Sequence, residues 1–262
     1  MEFIKMHGLG NDFVVLDVMD APAPADPYAL ARRLCDRHFS VGGDGLVLIG
    51  RADGADGEMR IFNPDGSEPE MCGNAIRCVA RYLYESGHVR SDSMRIKTLA
   101  GMMDINLTLD GGSVAAVSVD MGKPRVTGRC DILIEGEKAE FMMVSTGNPH
   151  AVTYSVYPDD DVFAKYGPRI ERNPVFPEGT NVEFCRLDSR DHITVRVWER
   201  GAGPTLACGT GATASFFAGV TAGILNRRVT VRLPGGELEF EMTEDGHAIM
   251  TGPAAEAFRG RL

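Results

Sequence analysis

The sequence has no long hydrophobic run and no cluster of basic residues. No stretch reaches the roughly 18 consecutive apolar residues that a membrane span requires. Only 5 of the 27 basic residues are Lys, and the formal net charge is −10. These features argue against nucleic acid or a membrane as the partner. The opening residues 1–5 lack the basic lead and apolar core of a signal peptide, so we expect a cytoplasmic protein.

Metal and cofactor motifs are also missing. The sequence contains no Cys-x2-Cys pair, no paired-His spacing and no phosphate-binding loop, and Gly8-Leu9-Gly10 lacks the third glycine of a dinucleotide site. No Lys stands in a setting typical of a pyridoxal Schiff base. Without an export signal, the six cysteines are interpreted as thiols rather than disulfides. We therefore expect neither a metal nor a cofactor.

Glycine, by contrast, is abundant: 31 of 262 residues, or about 12% against a usual ~7%. Many glycines form Asp-Gly or Gly-Gly pairs that bound short alternating runs, such as residues 104–109 and 237–242. Period-two alternation between such pairs is typical of β-hairpins. The sequence therefore predicts a largely antiparallel sheet.

Four segments have helical spacing instead. One starts at Pro27 after a potential cap at Asp26, and a shorter one spans residues 160–172. The other two begin at Cys72-Gly73-Asn74, ending near Gly87, and at Cys208-Gly209-Thr210, ending near Gly223. The last helix is apolar nearly all round, which predicts that it is buried on every side.

The order of elements repeats. A strand at 58–62 leads to the Cys72 helix and a hairpin at 111–112, and a strand at 193–198 leads to the Cys208 helix and a hairpin at 235–236. We predict an α+β fold of two similar halves, each a mostly antiparallel sheet around one helix. The interface between such halves is a favoured place for a small-molecule site.

The proposed chemistry depends on a cysteine that precedes a glycine at the start of a helix. The first N–H groups of a helix lack internal partners and are partially positive, which favours a thiolate and lowers its pKa. The same N–H groups, at Gly73-Asn74 and Gly209-Thr210, can receive a carboxylate. Two such sites across one substrate carbon would let one sulfur remove a proton while the other delivers one, inverting the stereocentre. The other cysteines, 35, 78, 130 and 185, are interpreted as small buried hydrophobes.

At these residues the sequence resembles the diaminopimelate epimerase family. The resemblance rests on five ordered blocks: Lys5–Phe13, Met71–Cys78, Gly147–His150, Gly179–Phe184 and Trp198–Gly211. It implies two pseudo-symmetric halves, 1–117 with 253–262 returning to it, and 118–252, with the active site in the cleft between them. It also implies interconversion of LL- and meso-diaminopimelate in lysine and peptidoglycan precursor synthesis, and a homodimer.

The resemblance also implies residue roles. Cys72 would accept the proton and Cys208 donate one in the LL-to-meso direction, while His150 and Glu199 would tune the two thiols. Backbone amides of Gly73, Asn74, Gly209 and Thr210 would hold the reacting carboxylate. The remaining implied substrate contacts are Asn11, Asn63, Asn148, Asn181, Glu199 and Arg200, of which Arg200 suits the distal carboxylate.

Three positions depart from the family pattern: Pro204, Gly45 and Ala151.

Two alternative functions remain open. Proline racemase and hydroxyproline epimerase share the two-thiol logic, but Asn74 stands where their signature normally has His. In a different class, Cys72 and Cys208 could be a redox-sensing dithiol, which leaves the Asn and Arg residues unexplained.

Overall fold

The computed structural model describes all 262 residues. Its internal contacts divide the chain into two units: residues 1–119 with 251–262 form unit 1, and residues 120–250 form unit 2. None of the helices is both long enough and apolar enough to cross a membrane.

Unit 1 has two helices and a mixed sheet. Its elements are β1 (Glu2–Gly8), β2 (Asn11–Asp17), α1 (Pro27–Leu34), β3 (Gly45–Gly50), β4 (Gly57–Phe62), α2 (Gly73–Glu85), β5 (Ser93–Thr98), β6 (Gly101–Asp110), β7 (Ser113–Asp120, whose last residue belongs to unit 2) and β17 (Ala255–Arg261).

Helix α2 is the centre of unit 1. It packs against β1, β4, β5 and β6, and 9 of its 13 residues are buried. Strand β1 pairs antiparallel with β2 and β17, while β2–β3 and β4–β5 pair in parallel. The β1–β2 hairpin turns through Leu9 and Gly10 at φ 55° and 85°, the left-handed conformation that a two-residue hairpin loop requires. This turn places Asn11 at the first position of β2.

Unit 2 has the same plan. Its elements are β8 (Arg125–Ile134), β9 (Glu137–Ser145), β10 (Pro149–Thr153), α3 (Asp160–Glu171), β11 (Asn181–Ser189), β12 (His192–Glu199), β13 (Gly203–Pro204), α4 (Gly209–Thr221), β14 (Arg228–Leu233), β15 (Gly236–Met242) and β16 (Ala248–Gly252, whose last two residues belong to unit 1).

Helix α4 is the centre of unit 2. It packs against six strands, β9, β10, β11, β12, β14 and β15, and 9 of its 13 residues are buried. Helix α3 covers β11 and β12 from another side, where Phe163 makes edge contacts with Phe184 and Trp198. Strands β10 and β11 pair in parallel, because α3 carries the chain between them.

The α+β class with one central helix in each half is confirmed, as are the four helices and the hairpins at 111–112 and 235–236. Asp26 accepts a hydrogen bond from the Ala29 amide at 2.9 Å and caps α1 as expected. Gly87 and Gly223 lie just beyond α2 and α4 with positive φ, as a C′ glycine should. Local alternation did not predict the parallel pairings β2–β3, β4–β5, β10–β11 and β12–β14, which depend on crossover connections.

Candidate active site

Cys72 and Cys208 are the N-caps of the two central helices. Cys72 precedes α2 with φ −141° and ψ 117°, and Cys208 precedes α4 with φ −123° and ψ 109°. This extended backbone is typical of an N-cap residue, which adjoins the first-turn N–H groups that have no acceptor within the helix. The Cys208 side chain accepts a hydrogen bond from this turn, whereas the Cys72 side chain makes no capping hydrogen bond. A glycine follows each cysteine, so the backbone there has no side chain to hold a ligand away.

Cys72 is half-buried beside two asparagines. Its Sγ lies 3.9 Å from Oδ1 of Asn11, and the same oxygen accepts a hydrogen bond from Nδ2 of Asn74 at 3.0 Å. Three residues for which the sequence implied a role in the site therefore meet at the start of α2.

The orientation of Asn11 is set by a charged network on the β2 side. Nδ2 of Asn11 donates to Oδ2 of Asp44 at 2.8 Å, and the Asp12 amide donates to the same oxygen at 3.1 Å. The Arg37 guanidinium bridges the carboxylates of Asp12 and Asp44, at 2.6 and 2.8 Å. Lys5, which is 7% exposed, reaches Oδ2 of Asp12 at 2.5 Å. The amide oxygen of Asn11 is thereby kept directed at Cys72.

Arg77 is a site residue whose role sequence reasoning missed. It is fully buried, and it donates hydrogen bonds to the Gly73 carbonyl at 2.9 Å, to Oδ1 of Asn74 at 2.8 Å and to the Pro253 carbonyl at 3.1 Å. Burial lowers the pKa of Arg77, yet a guanidinium stays charged in proteins. It therefore braces the first turn of α2 and adds positive charge there. Its position within the Met71–Cys78 block was the only sequence signal for this role.

Cys208 is buried at the start of α4. Its Sγ accepts a hydrogen bond from the Gly211 amide at 3.4 Å and lies 3.5 Å from Oγ1 of Thr210. The helix-start argument predicts a lowered pKa, and for Cys208 that prediction is wrong. Burial raises the pKa of the thiol well above its usual value, and the Glu199 carboxylate raises it further. Desolvation and a nearby negative charge outweigh the helix terminus, so Cys208 is held as a thiol.

A hydrogen-bonded chain of side chains leads from Thr210 into the interior of unit 2. Nδ2 of Asn148 lies 3.5 Å from Oγ1 of Thr210, and Oδ1 of Asn148 lies 2.9 Å from Nε2 of His150. Nδ1 of His150 lies 2.7 Å from Oε1 of Glu183. Glu183 was visible only as part of a sequence block and had no assigned role, because nothing local indicates that its side chain turns inward.

Asn181 braces the turn that carries Glu199 and Arg200. Its Oδ1 accepts from the Arg200 amide, and its Nδ2 donates to the Pro149 carbonyl, both at 2.9 Å. Oε1 of Glu199 accepts from the Thr205 hydroxyl at 2.6 Å. Arg200 is exposed, and Nη1 of its guanidinium donates to the Glu178 carbonyl at 3.2 Å.

Glu171, at the end of α3, holds the other side of this turn and is a second residue that the sequence did not reveal. Its carboxylate accepts from the Trp198 indole at 2.8 Å and from the Gly201 amide at 2.9 Å. Glu199 and Arg200 lie between these two anchored positions.

The remaining implied positions are less connected. Asn63 lies in a turn after β4 and donates from Nδ2 to the Ser67 hydroxyl at 2.9 Å. Of the three departures, Gly45 opens β3, Ala151 is buried in β10 and Pro204 is exposed in β13. No cluster of His, Cys, Asp or Glu has the arrangement that would hold a metal ion.

Comparison with known proteins gives a consistent result. The model of the family described as diaminopimelate epimerase matches residues 3–127 and 142–256. The chain is 50% identical to the diaminopimelate epimerase of Desulfitobacterium hafniense, with 100% of this chain and 98% of the relative covered. It is 51% identical to that of Desulforudis audaxviator, with 100% and 99% covered.

Solved structures share the fold at much lower identity. A Bacillus anthracis phenazine biosynthesis protein of the PhzF family has a TM-score of 0.76 at 16% identity, with 100% of this chain and 98% of that one covered. A probable proline racemase from Agrobacterium radiobacter K84 has a TM-score of 0.75 at 19% identity, with 100% and 92% covered. These likenesses concern the fold alone.

Proposed function

Because this chain belongs to the diaminopimelate epimerase family, we propose that it interconverts LL- and meso-diaminopimelate by a two-base thiol mechanism without a cofactor. The reaction serves lysine and peptidoglycan precursor synthesis. The observation that carries the mechanism is the N-cap position of Cys72 on α2 and of Cys208 on α4. Inversion at a carbon requires a proton acceptor on one face and a donor on the other, and each cysteine supplies one sulfur beside a ready anion receptor.

In the LL-to-meso direction the thiolate of Cys72 takes the α-proton. The electron pair of the broken C–H bond passes towards the adjacent carboxylate, and the carbon then takes a proton from the Cys208 thiol on its other face. Cys72 ends as a thiol and Cys208 as a thiolate, so the reverse reaction starts from the exchanged roles. The raised pKa of Cys208 supports its role as the donor.

Charge that develops on the substrate carboxylate needs nearby donors. The backbone amides of Gly73-Asn74 and Gly209-Thr210 supply them at two helix starts, where they are already oriented before the reaction begins. Preorganised donors of this kind stabilise the transition state more than the ground state, because the negative charge on the carboxylate is greatest there.

The substrate's remote end needs separate recognition. We propose that Asn11, Asn63, Asn148, Asn181 and Glu199 contact the substrate and that the exposed Arg200 guanidinium takes the distal carboxylate in paired hydrogen bonds. The bracing of the Arg200 backbone by Asn181 supports a fixed direction for that side chain. His150 and Glu199 tune the thiols, and the effect of Glu199 on the pKa of Cys208 supports this.

We further propose that the protein acts in the cytoplasm as a homodimer. The six cysteines are all unbridged, and a two-thiol mechanism works only where thiols stay reduced. Sedimentation equilibrium of the purified protein tests the dimer, since the monomer mass is 28.3 kDa.

The decisive experiment is turnover in deuterated water. Incubation with LL-diaminopimelate should give the meso form with solvent deuterium at one α-carbon, detected by NMR. Cys72→Ala and Cys208→Ala should each abolish inversion, whereas Cys130→Ala should leave it near wild type. High turnover by either signature variant would contradict the two-base mechanism. Turnover of proline instead would favour the racemase alternative, and a Cys72–Cys208 disulfide without turnover would favour a redox role.

A further inference from the structure

Glu183 and His150 form a fully buried pair in unit 2. Neither side chain has any exposed surface, and Nδ1 of His150 lies 2.7 Å from Oε1 of Glu183. The two residues lie on the parallel strands β10 and β11. The first turn of α4 closes over the carboxylate: a Cβ at Gly211 would stand 2.8 Å from Oε1 of Glu183 and 3.3 Å from Sγ of Cys208. The pair therefore adjoins the donor thiol.

The hydrogen-bond partners of His150 place its protons. Nε2 lies 2.9 Å from Oδ1 of Asn148, and this oxygen also accepts from the Thr146 hydroxyl. With the Asn148 amide oriented in this way, its oxygen accepts, so Nε2 of His150 carries a hydrogen. The 2.7 Å contact between Nδ1 and Glu183 holds one more proton, which belongs either to the imidazole or to the carboxyl group.

Three features favour Glu183 as the group that holds that proton. No protein group donates a hydrogen bond to its buried Oε2, and an ionised carboxylate buried with an unpaired oxygen is costly. Glu199 adds a second negative charge nearby, and burial raises the pKa of Glu183. The only positive group that could stabilise an ionised Glu183 is His150 itself. His150 is neutral when the proton lies on the carboxyl group.

We propose that Glu183 is a positioning residue of the active site, a neutral carboxylic acid that donates its proton to Nδ1 of His150 and keeps the imidazole neutral with Nε2–H directed at Asn148. The inference rests on the proposed epimerase function. The amide of Asn148 is held with Nδ2 towards Thr210, and no cation lies in this pair to draw the proton from Cys208. The donor thiol stays protonated until the substrate carbon takes its proton.

The proton position can be observed directly by nitrogen-15 NMR of the histidine side chains in the intact wild-type protein. His150→Asn identifies the His150 signals by their loss. At neutral pH, His150 should show a protonated Nε2 and an unprotonated, hydrogen-bonded Nδ1. Protonation of both nitrogens at neutral pH would overturn the proposal, and so would a hydrogen on Nδ1 alone.

Variants of Glu183 give a second, independent readout. The amide introduced by Glu183→Gln can still donate an N–H to Nδ1, so this variant should keep kcat/KM within about threefold of wild type, since the hydrogen bond survives. Glu183→Ala removes the donor and should lower kcat by about 5- to 150-fold, the usual range for a buried hydrogen bond lost. The exposed Glu239→Gln on β15 is the matched control.

Equal losses in Glu183→Gln and Glu183→Ala, with folding checked by circular dichroism, would overturn the neutral-acid assignment. If Glu183→Ala does not fold, the NMR measurement on wild type still decides. Failure of the proposed function is distinguishable, because a protein that does not turn over diaminopimelate still reports the protonation of His150.

Discussion

Gly167→Ala should destabilise the protein although it places a better helix former inside α3. Gly167 lies against the six-membered ring of Trp198, and an added Cβ would meet Cε3 at 2.4 Å and Cδ2 at 2.5 Å. That is about 1 Å short of ordinary van der Waals contact, so the indole or the helix must move. The ring is confined, because Nε1 donates to Glu171 at 2.8 Å and Phe163 packs against it with centroids 5.8 Å apart.

The magnitude follows from two opposing contributions. Alanine in place of a helical glycine contributes at most about 1 kcal/mol of stability, and less here because Pro168 follows and disfavours helical backbone at a residue with a Cβ. Overpacking typically costs about 1–3 kcal/mol, and a rigid ring held on two sides calls for the upper end. The expected net loss in the free energy of unfolding is about 2 kcal/mol. A displaced Trp198 also shifts the adjoining Glu199 and Arg200, so KM for diaminopimelate should rise.

Urea unfolding followed by circular dichroism measures the loss, and the emission of Trp198, the single tryptophan, reports whether the ring has moved. Gly50→Ala is the control, because its Cβ would have no neighbour closer than 3.9 Å and the substitution should be neutral or slightly stabilising. An equally stable Gly167→Ala protein with unchanged emission would refute the reasoning, since helix propensity would then outweigh the contact.

Three further predictions concern charged side chains. Burial alone raises the pKa of Asp12, but hydrogen bonds from Arg37 and Lys5 outweigh it and hold the pKa at about 2. The resulting stabilisation of the folded protein is complete above the ordinary pKa of 3.8 and is lost as the pH falls through about 2. After a discount for the half-exposed Arg37, Asp12→Asn should lower the free energy of unfolding by about 1–2 kcal/mol at neutral pH. In thermal unfolding, the variant's melting temperature should also fall less steeply than that of wild type as the pH is lowered. Arg200→Lys should lower kcat/KM for diaminopimelate by roughly 30-fold or more in steady-state kinetics, because an ammonium cannot pair with both oxygens of a carboxylate; an unchanged value would remove Arg200 from the site. Arg77→Lys should cost about 2–4 kcal/mol in urea unfolding, because one ammonium nitrogen cannot reach three acceptors that face three different guanidinium nitrogens. A variant as stable as wild type would show that the first turn of α2 needs no brace.

The sites proposed from sequence differ in how far the fold supports them. Cys72, Asn11 and Asn74 meet through side-chain contacts, and so do Cys208, Thr210, Asn148 and His150. Asn63 has its recorded side-chain hydrogen bond within its own turn. Its role in substrate binding therefore still rests on family resemblance alone.

The sequence by itself determined the features that depend on neighbouring residues. Caps such as Asp26, C′ glycines such as Gly87, and Asp-Gly or Gly-Gly hairpins act through the φ and ψ of a few adjacent positions, so their patterns can be read directly. The two Cys-Gly helix starts belong to the same kind of signal.

Only the tertiary structure decided which ionisable groups lose their water. The pairing of His150 with Glu183, 33 residues further along the chain, depends on a parallel alignment made by α3, and the burial of Arg77 depends on the return of the chain at Pro253. The pKa of Cys208 reversed the helix-start expectation for the same reason. A helix terminus is a local property, whereas desolvation is the sum of everything packed around the sulfur, and no short stretch of sequence contains it.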